Sequence, residues 1–78
     1  MYTTRYNIYG KDRDDNLICD CSFDTKVIAI DCLIHFINYF ALKNNFNIWR
    51  DDDIRIILDS GDYYHVGTYS FWIEEREI

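Results

Sequence analysis

The sequence predicts one α+β domain in which an antiparallel sheet packs against a single long helix, in the order ββαββ. Three observations carry this expectation. Two segments before Asp24 alternate apolar and polar residues with period two, a long apolar run after it follows the helical period, and the C-terminal third is again β-branched and aromatic.

The first alternating segment runs from Tyr2 to Tyr9, with Tyr2, Thr4, Tyr6 and Ile8 on one side and Thr3, Arg5 and Asn7 on the other. Gly10 to Asn16 contains no apolar residue and is rich in turn formers, as a hairpin loop requires. Leu17 to Phe23 alternates again, placing Leu17, Cys19, Cys21 and Phe23 inward and Ile18, Asp20 and Ser22 outward. Asp24 or Thr25 then offers a side-chain oxygen to the free N–H groups of a helix start. The helix is predicted from about Thr25 to about Lys43. Asp31, His35 and Asn38 form its one narrow polar stripe, and Ala29, Leu33, Phe36, Ile37 and Phe40 lie opposite. A single sheet covers about half of a helix's circumference, so a helix this apolar needs a second cover. The segment Asn44–Trp49, carrying Phe46, Ile48 and Trp49, is one candidate, and a second copy of the chain is the next.

After Asp51-Asp52-Asp53, the alternation of Ile54, Ile56 and Leu58 predicts a third strand over Ile54–Asp59. A tight turn at Ser60-Gly61-Asp62 follows, then a long fourth strand over Tyr63–Ile73. The inward face of that strand changes phase, which marks Gly67 as a bulge, and Glu74 to Glu77 read as a solvated tail.

Seventy-eight residues hold one core, and at 49% hydrophobic and 18% aromatic the chain is too rich in core formers to be disordered. Its net charge of -6 disfavours direct binding of nucleic acid, whose affinity comes from Lys and Arg displacing counterions. The first residues, Met-Tyr-Thr-Thr-Arg, lack the apolar core of a signal peptide. The apolar run Val27–Leu42 is interrupted by Asp31, His35 and Asn38, so no membrane span is expected. An odd number of cysteines, three, fits reduced thiols and a cytoplasmic location.

Candidate chemistry is sparse. Cys19-x-Cys21 with Cys32-x-x-His35 supplies the donor types of a tetrahedral zinc site, but two cysteines within a regular strand are poorly placed to grip one ion, and the better account of them is as small buried thiols of the core. Asp12-x-Asp14-x-Asn16 matches the first alternate ligands of a calcium loop. Leu17 and Phe23 then stand where glycine and the bidentate glutamate belong, so no metal or other cofactor is expected. Asp31 and His35 are spaced for a carboxylate to orient an imidazole, yet no nucleophile accompanies them and no enzyme activity is expected. The acids cluster instead: Asp12, Asp14 and Asp15; Asp51, Asp52 and Asp53; Asp59 and Asp62; Glu74, Glu75 and Glu77. Carboxylates so grouped attract a basic protein surface.

In size, acidity, ββαββ order, the Asp51-Asp52-Asp53 run and a palette heavy in Ile, Asn, Asp and Tyr, the chain resembles the small proteins that phages and other mobile elements encode against host defence, such as anti-CRISPR and DNA-mimic anti-restriction proteins. The likeness is one of type over the whole chain, without a shared motif. It implies a non-enzymatic inhibitor that occupies a basic, nucleic-acid-contacting surface of its partner, such as the arginine-rich channel of a CRISPR effector complex. The contact residues expected from the acid clusters are Asp51, Asp52, Asp53, Asp12, Asp14 and Asp15, with Asp59 and Asp62 beside them. Two other readings stand: a homo-oligomeric structural module, with a homodimer its simplest form, and a zinc-binding regulator using Cys19, Cys21, Cys32 and His35.

Overall fold

A computed structural model describes residues 3–77, and in it the two N-terminal alternating segments pair as an antiparallel hairpin, β1 (Thr4–Lys11) and β2 (Leu17–Phe23). Tyr2, expected on the first strand, lies outside the described residues. The polar connection closes through hydrogen bonds from Asp15 N–H to the Asp12 carbonyl and from Asp12 N–H to the Asn16 carbonyl. Asp15 sits in the left-handed region (φ 65), which Asp tolerates better than most residues. The register pairs Ile8 with Cys21 and Gly10 with Cys19, then shifts so that Lys11 faces Leu17. This bulge reverses the expected faces at its site. Ile18, expected outward, packs against the core beside Cys19, and Leu17, expected inward, is 50% exposed. Cys21 stays on the pleat face of Ile8 but is exposed, because β2 is an edge strand.

Helix α1 spans Lys26–Asn44. Thr25 caps its start, the hydroxyl accepting from Ile28 N–H at 3.3 Å. Asn45, left-handed at φ 58, ends it by donating its N–H to the Ala41 carbonyl. Ala29, Leu33 and Ile37 are fully buried against the sheet, and the predicted polar stripe of Asp31, His35 and Asn38 is exposed.

Residues 51–59 are not a strand. They form a second helix, α2 (Asp51–Asp59), and the alternation of Ile54, Ile56 and Leu58 misleads because Ile54 and Leu58 are also an i, i+4 pair. In the helix these two are buried while Ile56 is 67% exposed. The acidic run, read from the sequence as the end of a loop, occupies the first turn of α2, where three carboxylates face the partial positive charge of unpaired N–H groups. At the other end Asp62 N–H bonds to the Ile57 carbonyl and Gly61 N–H to that of Leu58, with Gly61 at φ 87. That pair of bonds is a Schellman stop, which needs a residue free to adopt the left-handed conformation. The predicted turn at Ser60-Gly61-Asp62 is thus the end of a helix.

The long C-terminal segment supplies two strands, β3 (Tyr64–Val66) and β4 (Tyr69–Glu77), and Gly67 (φ 60) opens the two-residue turn between them rather than a bulge. Glu74 to Glu77, expected as a tail, continue β4 and pair with Thr4 to Asn7. The sheet order is β2-β1-β4-β3, antiparallel throughout. Two strands, a long helix and two strands therefore keep the α+β layout read from the sequence, with α2 inserted before the second pair.

The core lies between this sheet and α1, around Ile8, Phe71 and Ile73 below and Ala29, Leu33 and Ile37 above. Phe71 is fully buried and meets Phe36 and Phe40 at ring separations of 6.1 and 5.8 Å. It lies directly across Gly10, where a Cβ would come within 2.8 Å of two ring carbons. Because that ring is wedged among other aromatics, Gly10→Ala is expected to cost about 1–3 kcal/mol. Its midpoint in a urea titration should fall accordingly, and an unchanged midpoint would show that the ring is free to retreat.

The cover that α1 requires comes on one flank only. Phe46 and Ile48 pack against the core, as expected of the segment Asn44–Trp49, while its Trp49 is 60% exposed; α2 lies alongside. The radius of gyration, 12.3 Å, matches a compact domain of this length, as expected of a water-soluble protein. By length and composition alone α1, with a mean hydropathy of 1.3, is apolar enough to cross a membrane, and in this fold it is the helix that covers the sheet.

Candidate interaction surfaces

The structure places the acid clusters, expected from the sequence to form two or more negative patches, on separate parts of the molecule. Asp12, Asp14 and Asp15 lie in the β1–β2 loop, at the end of the sheet where Lys11 pairs with Ser70. Asp59 lies at the opposite end, lining a small depression with Tyr6, Lys26 and Glu75. Asp51, Asp52 and Asp53 occupy the start of α2, level with Asn38 in the second half of α1.

Four of the expected contact residues, Asp12, Asp15, Asp59 and Asp62, have ion pairs or loop hydrogen bonds within the fold, and Asp51 accepts from the Asn38 side chain. The Asp12 carboxylate accepts from the N–H groups of Asp14 (2.8 Å) and Asn16 (3.0 Å) and from the Asn16 side chain. These bonds, the one from Asn16 N–H foremost, hold its pKa below the usual aspartate value, so it braces the loop rather than awaiting a cation. Asp15 pairs with Lys11 and Asp59 with Lys26, and Asp62 accepts from the Ser60 hydroxyl. None of the ion pairs among the described residues uses Asp51, Asp52 or Asp53.

The α2 surface combines charge with apolar area. Asp53 borders a shallow cleft whose apolar walls are Ile48, Trp49, Ile56 and Ile57, with Arg50 at its rim. Trp49 and Ile56 are 60% and 67% exposed, and the Trp49 ring is held edge-on to Tyr64, whose hydroxyl accepts the Trp49 backbone N–H at 2.9 Å. The sequence flagged the three aspartates here but missed both apolar neighbours. The signal available for them was the placement of an acidic triplet before residues spaced 54, 57 and 58, a helix pattern whose outward position is Ile56.

A second groove runs along α1 on the flank that α2 leaves open. Ile28, Cys32, His35 and Tyr39 line it, with Phe23 and Phe36 on the side of β2. Asp31, at its rim, is held by Arg55 of α2 rather than turned to His35. Cys32 and His35 thus share an open groove, but burial and the nearby Cys21 raise the Cys32 thiol pKa, opposite to what activates a nucleophile. Cys19 is pushed up to about 11, chiefly by burial and then by Cys32, Cys21 and Asp20. Among the described residues no group of three or more His, Cys, Asp or Glu is placed to hold a metal ion, and Cys19, Cys21, Cys32 and His35 do not converge as the zinc reading requires.

The sheet face turned away from α1 is sealed by its own side chains. Trp72 is buried there beneath Tyr9 and Tyr63, stacked at 5.3 and 4.8 Å, with the Lys11 ammonium 5.5 Å from its ring. Glu74 accepts from the Trp72 indole and pairs with Arg76, a hydrogen bond that holds the Glu74 pKa low. Both signs of charge meet on this face, so it extends none of the acidic surfaces.

Comparison of the chain with protein-family models, with curated proteins and with solved structures finds no match. The functional reading therefore rests on these surfaces alone.

Proposed function

We propose that the protein is a non-enzymatic binding protein that occupies a basic, nucleic-acid-contacting surface of another protein, acting in the cytoplasm in the manner of an anti-CRISPR inhibitor. The α2 face carries the contact. The observation behind this reading is that Asp51, Asp52 and Asp53, alone among the expected contact clusters, are outside every ion pair of the described residues and adjoin exposed apolar area at Trp49 and Ile56. Apolar anchors beside charge are what a protein interface uses: the aromatic side chain supplies affinity and the charges select and steer the partner. The loop acids at Asp12, Asp14 and Asp15 are at one end of the sheet, and Asp59, the last residue of α2, and Asp62 just beyond it are at the other, so they extend the negative field around this contact without joining it.

The test is target-DNA binding by a panel of purified CRISPR effector complexes, with and without the protein. Inhibition of one of them is expected to fall at least about tenfold when Asp51, Asp52 and Asp53 are all changed to Asn, and to weaken severalfold as salt rises past the point where the Debye length drops to about 8 Å. Trp49→Ala should weaken it without altering the salt dependence. Circular dichroism of each variant checks that the fold persists. Inhibition that survives the triple change, or that ignores salt, assigns the contact to another surface.

A further inference from the structure

Of the exposed apolar residues, Ile28, Tyr39 and Leu42 fall on one line of α1 with Cys32 and His35 between them. Their spacing is 4-3-4-3, the interval at which one helix presents a seam to another. All five are exposed, Ile28 at 55%, Tyr39 at 60% and Leu42 at 81%. A stripe of this regularity is not needed for the fold, whose core uses the opposite arc through Ala29, Leu33 and Ile37.

The stripe is also nearly symmetric about its centre. Ile28 and Leu42 each stand two turns from His35, and Cys32 and Tyr39 stand one turn from it on either side. A two-fold axis passing beside His35 therefore superposes the stripe on an antiparallel copy of itself. Leu42, the most projecting side chain, then meets the groove that Ile28 and Cys32 form with Phe23. Knob and hole lie on the same chain at matching distances from the axis, as an isologous contact demands.

Charge favours the same arrangement. In a protein of net charge -6, two copies repel except where carboxylates are absent or neutralised. The seam residues carry none, and the flanking Asp31 is paired with Arg55, whereas the acid clusters sit on α2, on β4 and in the loops. Antiparallel helices also set each N-terminus beside the other's C-terminus, the favourable order for their dipoles. With aromatic side chains contributing about 150–250 Å² when fully covered, the seam and its Phe23 and Phe36 rim offer on the order of 500 Å² per copy, enough to approach the ~1,000 Å² at which a specific pair becomes stable.

We propose that the chain self-associates through α1, as an antiparallel dimer whose two-fold axis passes beside His35 and whose Leu42 seats in the second copy's Ile28–Cys32 groove. This surface is separate from the α2 contact, so each stands or falls without the other. The first test is sedimentation equilibrium of the full chain across about 1–200 µM. Twice the 9.5 kDa mass of one chain is expected at the upper end. Leu42→Asp, which removes no core packing, should weaken association at least about tenfold with an unchanged melting temperature for the monomer.

Orientation is read by oxidative cross-linking in a Cys19→Ser, Cys21→Ser, Cys32→Ser background. His35→Cys is expected to cross-link to itself at the axis, and Ile28→Cys to cross-link only when mixed with Leu42→Cys. A monomer at 200 µM, a dimer indifferent to Leu42→Asp, or Ile28→Cys joining readily to itself would each overturn the proposal. So would a monomer that floats with phosphatidylcholine and phosphatidylglycerol vesicles through Leu42, which would make lipid the occupant of the seam.

Discussion

Phe71→Ala is expected to remove about 3–5 kcal/mol of stability, the range for deleting a large aromatic side chain from a close-packed core. Phe71 is fully buried, packs against Phe36 and Phe40, and fills the space that Gly10 leaves open on the neighbouring strand. Its loss leaves a cavity at the junction of α1, β1 and β4, the three elements that hold most of the core. A 78-residue domain has a total stability of only about 4–12 kcal/mol, so this one change consumes a large share of it. Urea denaturation followed by tryptophan fluorescence reports the effect directly, since Trp72 is buried on the next residue of β4. A loss below about 1 kcal/mol would mean that Phe36 and Phe40 collapse into the gap.

A pair of substitutions in α2 has the next largest expected effect, and the contrast between them tests the element itself. Ile54→Ala should cost about 2–4 kcal/mol, because Ile54 is fully buried between the helix and the core. Ile56→Ala should stay within about 0.5 kcal/mol, because Ile56 is 67% exposed and makes no part of the core. Were the segment a strand, residues 54 and 56 would point to the same face and lose stability together. Equal losses in parallel urea titrations would therefore return Ile54–Asp59 to the strand that its alternation suggests.

The candidate interaction surfaces were legible to different degrees. The acid clusters are visible in the sequence because charge is a property of each residue, but their division into separate sites follows from the hairpin register and the direction of α2. The exposed seam was legible only as an excess: the sequence showed a helix with more apolar surface than one sheet covers, and α2 and Phe46 then took one flank and left Ile28, Tyr39 and Leu42 on the other. Trp49 beside Asp53 was not foreseen, because the loop was expected to turn all three of its large side chains inward and only Phe46 and Ile48 do so.

By itself the sequence determined what depends on neighbours along the chain. The period-two alternation of Tyr2 to Tyr9 and Leu17 to Phe23, the threonine cap and apolar arc of α1, and the turn-forming run from Gly10 to Asn16 are local signals, and among the described residues each formed its element within a residue or two. Only the tertiary structure decided the elements whose local signals point two ways. Ile54, Ile56 and Leu58 satisfy both a strand and a helix, and packing against the core through Ile54 and Leu58, with three carboxylates on the free N–H groups of the first turn, selects the helix. The same holds for Gly67 and for the bulge that turns Ile18 inward: pairing partners far along the chain set the register, and a short segment carries no record of what it will face.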